Sequence, residues 1–319
     1  MWQALVRTAS QLLNDLQRTL LRVRPAGPHP GTNGTAAAPT LQPLERVILT
    51  DGVGHTLFEE YASHRKEMRG DEETGWVLLG LREESSAVVL ATLPAGTLRD
   101  ASASHVRFND DAQVIGYRIV RQLVRRLTIV GVVHTHPGSL RHPSDADYRG
   151  DSRWVRQLRG GEGVFGIGTA DGDGSSGSLF VEQPRPSVQR LGELSLCWYA
   201  LGEGDATYRP LPVEVTLGPD LARPLHALWM TIETHAERLE RVCRQQTGVT
   251  FETATDDGGA HLAVNVPLAD EGTALRILLQ GEKVRYFLRR GDDLLATDCD
   301  EERIDRGVYL LLAELAAQE

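Results

Sequence analysis

The stretch Thr128-Ile-Val-Gly-Val-Val-His134-Thr135-His136-Pro137 decides how the chain is expected to fold. The residues before His134 are apolar and rich in β-branched side chains, which predicts a buried β-strand. Because successive side chains of a strand point to opposite faces, His134 and His136 are expected on the same side. Pro137 is followed by glycine, and this pair ends the strand. The stretch therefore predicts two imidazoles side by side at the end of a core strand.

A carboxylate follows at a short, fixed distance from the two histidines. After seven intervening residues comes Ser144, a good N-cap, and the chain then has helical spacing through Leu158. Asp147 lies one turn along the same helix face. A lone His-x-His in a protein is more often a surface pair than a ligand pair. Two histidines and an aspartate are a zinc-competent set, however, and three protein ligands leave one position open for water.

A zinc hydrolase usually needs a general base that is not itself a ligand. Glu73 precedes the short apolar run Trp76 to Leu81, which predicts another buried strand. Glu72 and Asp71 sit beside Glu73 and are rival bases on composition alone.

Taken together, Glu73 and the spacing His134-x-His136-x7-Ser144-x-x-Asp147 resemble the JAMM signature of MPN/JAB-domain metalloproteases, E…HxHx7SxxD. The phrase Glu73-Thr-Gly-Trp-Val-Leu-Leu-Gly80 is similar to the Glu-Thr-Gly-Gly-Ile-Leu-Leu-Gly version of prokaryotic members, and this similarity favours Glu73 over Glu72 as the base. In that version a glycine stands at the position of Trp76, so we expect altered packing near the base but intact chemistry. The resemblance covers roughly residues 45 to 217.

The resemblance implies that His134, His136 and Asp147 bind zinc and that Glu73 moves protons in catalysis. It also implies that Ser144 stabilises the oxyanion, although a role as helix cap alone stays open. The expected reaction is hydrolysis of the bond after the C-terminus of a ubiquitin-like protein, in deconjugation or precursor processing. The expected partners are that modifier, its conjugates, and the conjugating or adenylating enzymes of the same operon. The setting implied is a bacterial ubiquitin-like conjugation system, with antiphage defence as one candidate.

Two other functions stay open on the sequence. One is a JAMM-type hydrolase of a small sulfur-carrier or cysteine adduct. The other is a non-catalytic MPN scaffold, against which the intact ligand set argues, because inactive members usually lack ligands.

Composition excludes several other classes of function. The net charge is −10 with a pI near 5.5. This argues against a nucleic-acid partner, because proteins that bind nucleic acids usually have a basic surface. No apolar run reaches the ~18 residues of a membrane-spanning helix. Cys197, Cys243 and Cys299 are widely spaced and odd in number. They predict no disulfide framework, so a reducing cytoplasm is the simplest location.

The chain is expected to be a mixed α/β protein with four parts. Residues 1–24 have the pattern of an amphipathic helix, which would dock on a partner or membrane surface or pack on the protein itself. Residues 25–43 read as a flexible linker. Residues 44–217 are predicted to form the catalytic domain, an MPN/JAB-type curved sheet flanked by helices. Residues 218–319 are predicted to form a small α+β module, either for interaction or as a structural extension.

Two local predictions inside the catalytic domain are specific enough to test. The apolar residues at four-residue spacing between Asp110 and Leu127 predict a helix of that length. The glycine-rich stretch that starts at Asp171 lies between two strand-like runs, 164–169 and 179–182, and this arrangement predicts a hairpin.

Overall fold

The computed structural model describes residues 41–103, 105–171, 180–256 and 259–318. The predicted N-terminal helix and most of the predicted linker lie outside these residues. The chain divides into two compact units. The first unit comprises the chain up to Ala95 together with Arg99–Phe108 and Arg126–Arg223, and the second comprises Gly96–Leu98, Asn109–Arg125 and the chain from Pro224 onward.

A mixed sheet of ten strands forms the first unit within the described residues. The strands are β1 (Arg46–Thr50), β2 (Gly75–Arg82), β3 (Ser86–Pro94), β6 (Thr128–Thr135), β7 (Glu162–Thr169), β8 (Glu182–Arg185), β9 (Val188–Leu191), β10 (Leu194–Gly202), β11 (Arg209–Pro210) and β12 (Val213–Thr216). They run in the order β12-β1-β3-β2-β6-β7-β10-β9-β8, and β11 pairs with β10. The pairs β1–β12, β1–β3 and β6–β7 are parallel, and the other pairs are antiparallel.

Two helices and a small hairpin complete the first unit. Helix α1 (Asp51–His64) follows β1 directly and is capped by the side chain of Thr50. Helix α3 (Asp145–Trp154) follows β6 and continues into a 3-10 turn. Strands β4 (Asp100–Ser102) and β5 (His105–Arg107) pair only with each other. The buried strand predicted before the two histidines is β6, which lies between β2 and β7. Most of its side chains are buried on both faces of the sheet, and this explains its continuous apolar sequence.

The second unit is a five-stranded antiparallel sheet with helices. Its elements are α2 (Asp110–Leu123), α4 (Arg223–His226), α5 (Trp229–Gln245), β13 (Thr250–Asp256), β14 (Gly259–Pro267), β15 (Thr273–Gln280), β16 (Lys283–Arg290), β17 (Asp293–Ala296) and α6 (Ile304–Gln318). The strands lie in the sheet in chain order, β13-β14-β15-β16-β17. The chain is thus a mixed α/β protein with a curved mixed sheet, flanking helices and an additional sheet.

Helix α2 falls inside the range 44–217 of the predicted catalytic domain but groups with the second unit. Within that unit Arg118 pairs with Glu240 of α5 at 3.3 Å, and the side chain of Gln122 hydrogen-bonds to the backbone of Phe251. The helix also ends at Leu123, before the predicted Leu127, because the next residue has extended backbone geometry.

The predicted hairpin after β7 is wrong. Strand β7 pairs with β6 and β10, whereas β8 pairs with β9. The predicted run 164–169 lies within β7, whereas the run 179–182 meets β8 only at Glu182. The two strands pair with other strands and not with each other, because neighbours in sequence need not be neighbours in a sheet. The glycine-rich residues 172–179 lie outside the described chain.

Candidate metal centre

The two histidines of the predicted ligand set lie where β6 ends. His134 is the penultimate residue of the strand, and the backbone N–H of His136 still donates to Gly168 of β7 at 2.8 Å. This bond keeps the backbone extended, so both rings point to the same side. Their Nε2 atoms are 3.1 Å apart, and both residues are buried.

The start of α3 brings the carboxylate to the histidines. Ser144 caps the helix: the backbone N–H of Asp147 donates to Ser144 Oγ at 3.2 Å, and the backbone N–H of Ser144 donates to Asp147 Oδ2 at 2.6 Å. Ser144 Oγ also donates to the same carboxylate oxygen at 2.7 Å. Asp147 Oδ1 is 3.4 Å from His134 Nε2, and its Oδ2 is 3.5 Å from His136 Nε2. The structure thus brings together His134, His136 and Asp147, as the sequence predicted.

This arrangement fits a zinc ion. Tetrahedral zinc with bonds of ~2.0–2.1 Å places its ligand atoms about 3.3 Å from one another. The distance between the two imidazole nitrogens lies close to that value, as does the distance from each of them to its nearer carboxylate oxygen, which is a different oxygen of Asp147 for each ring. One ligand atom from each of the three residues lies within 4.8 Å of the other two. His136 Nδ1 lies 2.7 Å from the carbonyl oxygen of Leu140. Because a carbonyl can only accept, Nδ1 carries the hydrogen, so in the neutral ring the lone pair of Nε2 is free to bind a metal.

The electrostatics also show that the site favours a positive charge. Burial alone would lower the pKa of His134, but the hydrogen bond and charge of Asp147, with the charge of Glu73, raise it to about 9. Burial of Asp147 would raise its pKa, but hydrogen bonds from His134 and His136 in their protonated forms hold that pKa well below the usual range. A cation between the imidazoles and the carboxylate therefore offsets the cost of burying them.

Glu73 lies two residues before β2 and is buried. Burial raises the pKa of its carboxyl, while the charges of His134 and His136 act to lower it. The charges of the ligand set therefore change the pKa of the Glu73 carboxyl. The rival Glu72 has a different environment: its Oε2 accepts from Arg69 Nε at 2.6 Å, and this hydrogen bond lowers its pKa. Glu72 is thus paired with an arginine, whereas Glu73 is buried and its pKa responds to the charges of the two histidines.

Several residues near the centre were not predicted from the sequence. Asp151 lies four positions after Asp147 on α3; its carboxylate accepts from Tyr208 Oη at 2.7 Å and from Trp154 Nε1 at 3.1 Å. Burial raises the pKa of Asp151 to about 7, and its charge acts on His134. The i, i+4 spacing from Asp147 was the available signal. By contrast, His142, between the ligands in sequence, is exposed, as expected for a loop residue.

Comparison with known proteins agrees with this geometry. Residues 55–179 match the model of the family described as prokaryotic homologs of the JAB domain. This segment is a prokaryotic JAB domain. It contains Glu73 and the whole predicted ligand set, and the JAB family includes JAMM metalloproteases. The mixed sheet that carries the JAB segment has the curved form expected for the fold.

A solved structure, protein DSY2949 from Desulfitobacterium hafniense, is also similar to the chain. The identity is 16%, the match covers 55% of this chain and 95% of that one, and the TM-score is 0.35. No curated protein matches the chain. Among the residues that the structure describes, no helix is both long enough and apolar enough to cross a membrane.

Proposed function

We propose that this protein is a zinc-dependent peptidase or isopeptidase that cuts the bond after the C-terminus of a ubiquitin-like protein. The observation that supports it best is the His134–His136–Asp147 set, spaced for tetrahedral zinc, with the buried carboxyl of Glu73 acting on it. The JAB domain makes a hydrolytic, deconjugase-like role the expected use of such a set.

Each residue has a task that follows from its position. Zinc held by the three ligands would lower the pKa of bound water to about 7 and polarise the scissile carbonyl. Glu73 takes a proton from the attacking water and returns it to the leaving amine. Its burial suits this exchange, because a raised pKa makes the carboxylate a better proton acceptor. Ser144 orients Asp147 through the hydroxyl bond at 2.7 Å, and a turn of that hydroxyl would offer a donor to the oxyanion.

The experiment is cleavage of a ubiquitin-like protein that carries a C-terminal extension. The zinc-loaded chain is incubated with linear fusions and with lysine-linked conjugates of ubiquitin-like proteins from prokaryotic operons, and the cut bond is located by intact-mass spectrometry. We expect a single cut directly after the last residue of the modifier. Cleavage only of a small cysteine or sulfur-carrier adduct would favour the alternative hydrolase.

Metal content separates the enzyme from a scaffold. We expect the purified chain to bind one zinc per molecule and the Glu73→Gln variant to bind as much. A chain that binds no zinc at stoichiometric level, or that leaves every fusion and conjugate intact when loaded, would contradict the proposal.

A further inference from the structure

Glu73 lies outside the ladder of the large sheet, because β2 begins two residues later at Gly75. The backbone N–H groups on both sides of its Cα are nevertheless bonded. Its own N–H donates to the carbonyl oxygen of Ser102 at 2.8 Å, and the N–H of Thr74 donates to Thr135 Oγ1 at 3.0 Å. The position of Glu73 is therefore set by contacts with other segments of the chain.

The two carbonyl groups on either side of the Glu73 Cα are held by buried side chains. The carbonyl oxygen of Glu72 lies 2.9 Å from His64 Nε2, and that of Glu73 accepts from Arg99 Nε at 3.3 Å. Each peptide group next to the Glu73 Cα is thus held at its oxygen and at its nitrogen. Because the planes of these two peptide groups set φ and ψ of Glu73, the four bonds fix the direction in which its side chain leaves the backbone.

His64 and Arg99 also hold each other, since Arg99 Nη2 lies 3.3 Å from His64 Nδ1. A guanidinium can only donate, so His64 Nδ1 accepts this bond. The carbonyl of Glu72 can only accept, so His64 Nε2 carries the hydrogen. In this arrangement the imidazole is neutral and each of its nitrogens makes one bond. A change at either residue should therefore loosen the hold of the other on the backbone of Glu73.

The burial of the two side chains indicates that these bonds matter energetically. Arg99 is 7% exposed and His64 is 6% exposed. Burying such polar groups is costly unless they are hydrogen-bonded, so loss of one bond should disturb the others. A second arginine adds support: Arg69 Nη2 donates to the carbonyl oxygen of Arg99 at 3.4 Å, and Arg69 Nε donates to Glu72 Oε2. The carboxylate of Glu72 is thus bonded to the arginine that supports Arg99.

We propose that Arg99 and His64 are positioning residues for the general base: they hold the carbonyls of Glu73 and Glu72 and so aim the Glu73 side chain at the metal centre. The segment lies next to that centre, because Gly75 is opposite the ligand His134 in the β2–β6 pairing. The catalytic meaning of this inference rests on the proposed function, but the restraint on the backbone of Glu73 does not. Because these bonds end on the base segment, we expect zinc binding to be independent of them.

The test is backbone amide hydrogen exchange, followed by NMR on the zinc-loaded full chain. Arg99→Met removes the bonds to Glu73 and His64 and keeps most of the apolar part of the side chain. We expect the Glu73 N–H to exchange about tenfold faster or more, because a bond from a charged donor is lost and the segment opens more often. The reference is the amide of Leu78 in the middle of β2, which should not accelerate by the same factor.

The matched control is Arg82→Met. Arg82 is also buried and also donates to backbone carbonyls, those of Glu83 and Ser86, but it lies at the other end of β2. Its loss should lower the stability of the large sheet as a whole, so any acceleration should affect Leu78 at least as much as Glu73. A rise at Glu73 that exceeds the rise at Leu78 is therefore evidence of positioning, which a general loss of stability does not produce.

His64 provides a rescue experiment. His64→Phe removes the donor to the carbonyl of Glu72, and His64→Gln offers an amide N–H in its place. We expect fast exchange at Glu73 in His64→Phe and a return toward the wild-type rate in His64→Gln, with one zinc bound per chain in both. In a fusion-cleavage assay, Arg99→Met and His64→Phe should lower kcat and leave KM unchanged, because they displace the base and not the substrate.

Three results would overturn this inference. Glu73 and Leu78 could accelerate equally in Arg99→Met, or His64→Gln could exchange as fast as His64→Phe. Arg99→Met could also lose zinc, which would place its effect on the ligands. Exchange and zinc content need no substrate, so a chain that cuts no fusion but shows the expected exchange would refute the proposed function alone.

Discussion

Ser144 offers the sharpest test of the metal centre, because the structure gives it two separable tasks. Its Oγ accepts from the backbone N–H of Asp147, which caps α3, and it donates to Asp147 Oδ2, which orients a ligand. Ser144→Ala removes both bonds and leaves the backbone bond from Ser144 N to Asp147 Oδ2 at 2.6 Å. The loss of the cap should lower the free energy of unfolding by ~1 kcal/mol.

The effect on zinc should be larger than the effect on folding. Removing a group that orients a metal ligand typically weakens metal binding by about 10–100-fold. We expect this loss for Ser144→Ala, measured by competition with a chelator of known zinc affinity at fixed pH. Unfolding of the metal-free chain in urea gives the cap contribution separately, because no zinc is then bound to either variant.

Two further substitutions at the same position separate the tasks. Ser144→Gly should cost only a few tenths of a kcal/mol in the cap, because glycine is tolerated there, yet it should lose zinc affinity as alanine does. Ser144→Thr keeps a hydroxyl and should stay near the wild type in both measurements. If Ser144→Ala and Ser144→Gly bound zinc as tightly as the wild type, the hydroxyl of Ser144 would have no part in orienting Asp147 for the metal.

Three other outcomes are expected. Glu73→Gln should keep its zinc and lose activity by ~10²–10⁴-fold in a fusion-cleavage assay. Because burial raises the pKa of the Glu73 carboxyl, its ionised form destabilises the folded wild type above that pKa. At pH 7 the metal-free variant should therefore unfold at a higher urea concentration than the metal-free wild type. His136→Ala should lose zinc as well as activity, measured by metal content, and a variant that kept one zinc per chain would remove His136 from the ligand set. Arg82→Met should lower the free energy of unfolding by about 1–3 kcal/mol, because it removes the partner that lies 3.4 Å from the buried carboxylate of Glu162. A loss below about 1 kcal/mol in urea unfolding would show that Arg209 and the backbone N–H of Leu44 satisfy the carboxylate without it.

The ligand set could be predicted from the sequence because each part of it obeys a local rule. Alternation along a strand places His134 and His136 on one face. The capping preference of serine fixes where α3 begins, and therefore where Asp147 lies. These rules act over a few residues, so they do not depend on the rest of the fold. The distance from strand end to helix start is bridged by a short loop, in which Arg141 pairs with Asp171 at 2.9 Å.

The missed features depend on contacts between segments that are distant in sequence. The apolar stripe of α2 showed that one face is buried, but it could not show that the covering helix is α5 in the second unit. The β4–β5 hairpin has strands of only three residues, which is too short for a periodic pattern. The hairpin is joined to Glu73 by a backbone bond in which the N–H of Glu73 donates to the carbonyl oxygen of Ser102, and a backbone carbonyl carries no sequence signal.

Trp76 stands where the prokaryotic pattern has a glycine, and the strand pairing explains why its large side chain does not disturb the metal centre. Trp76 lies opposite Val133 in the β2–β6 pairing, and Gly75 lies opposite His134. Side chains that face each other across an antiparallel pair share a face, and neighbours along a strand do not. The indole therefore enters the core on the face of the sheet away from His134, where its Nε1 donates to Glu60 Oε2 at 2.7 Å. The position that must stay small is Gly75, since an added Cβ would lie 2.6 Å from the carbonyl oxygen of Val133. Trp76 thus fills the core on one face of the sheet, and the opposite face, next to Gly75, is left to the metal ligands and the base.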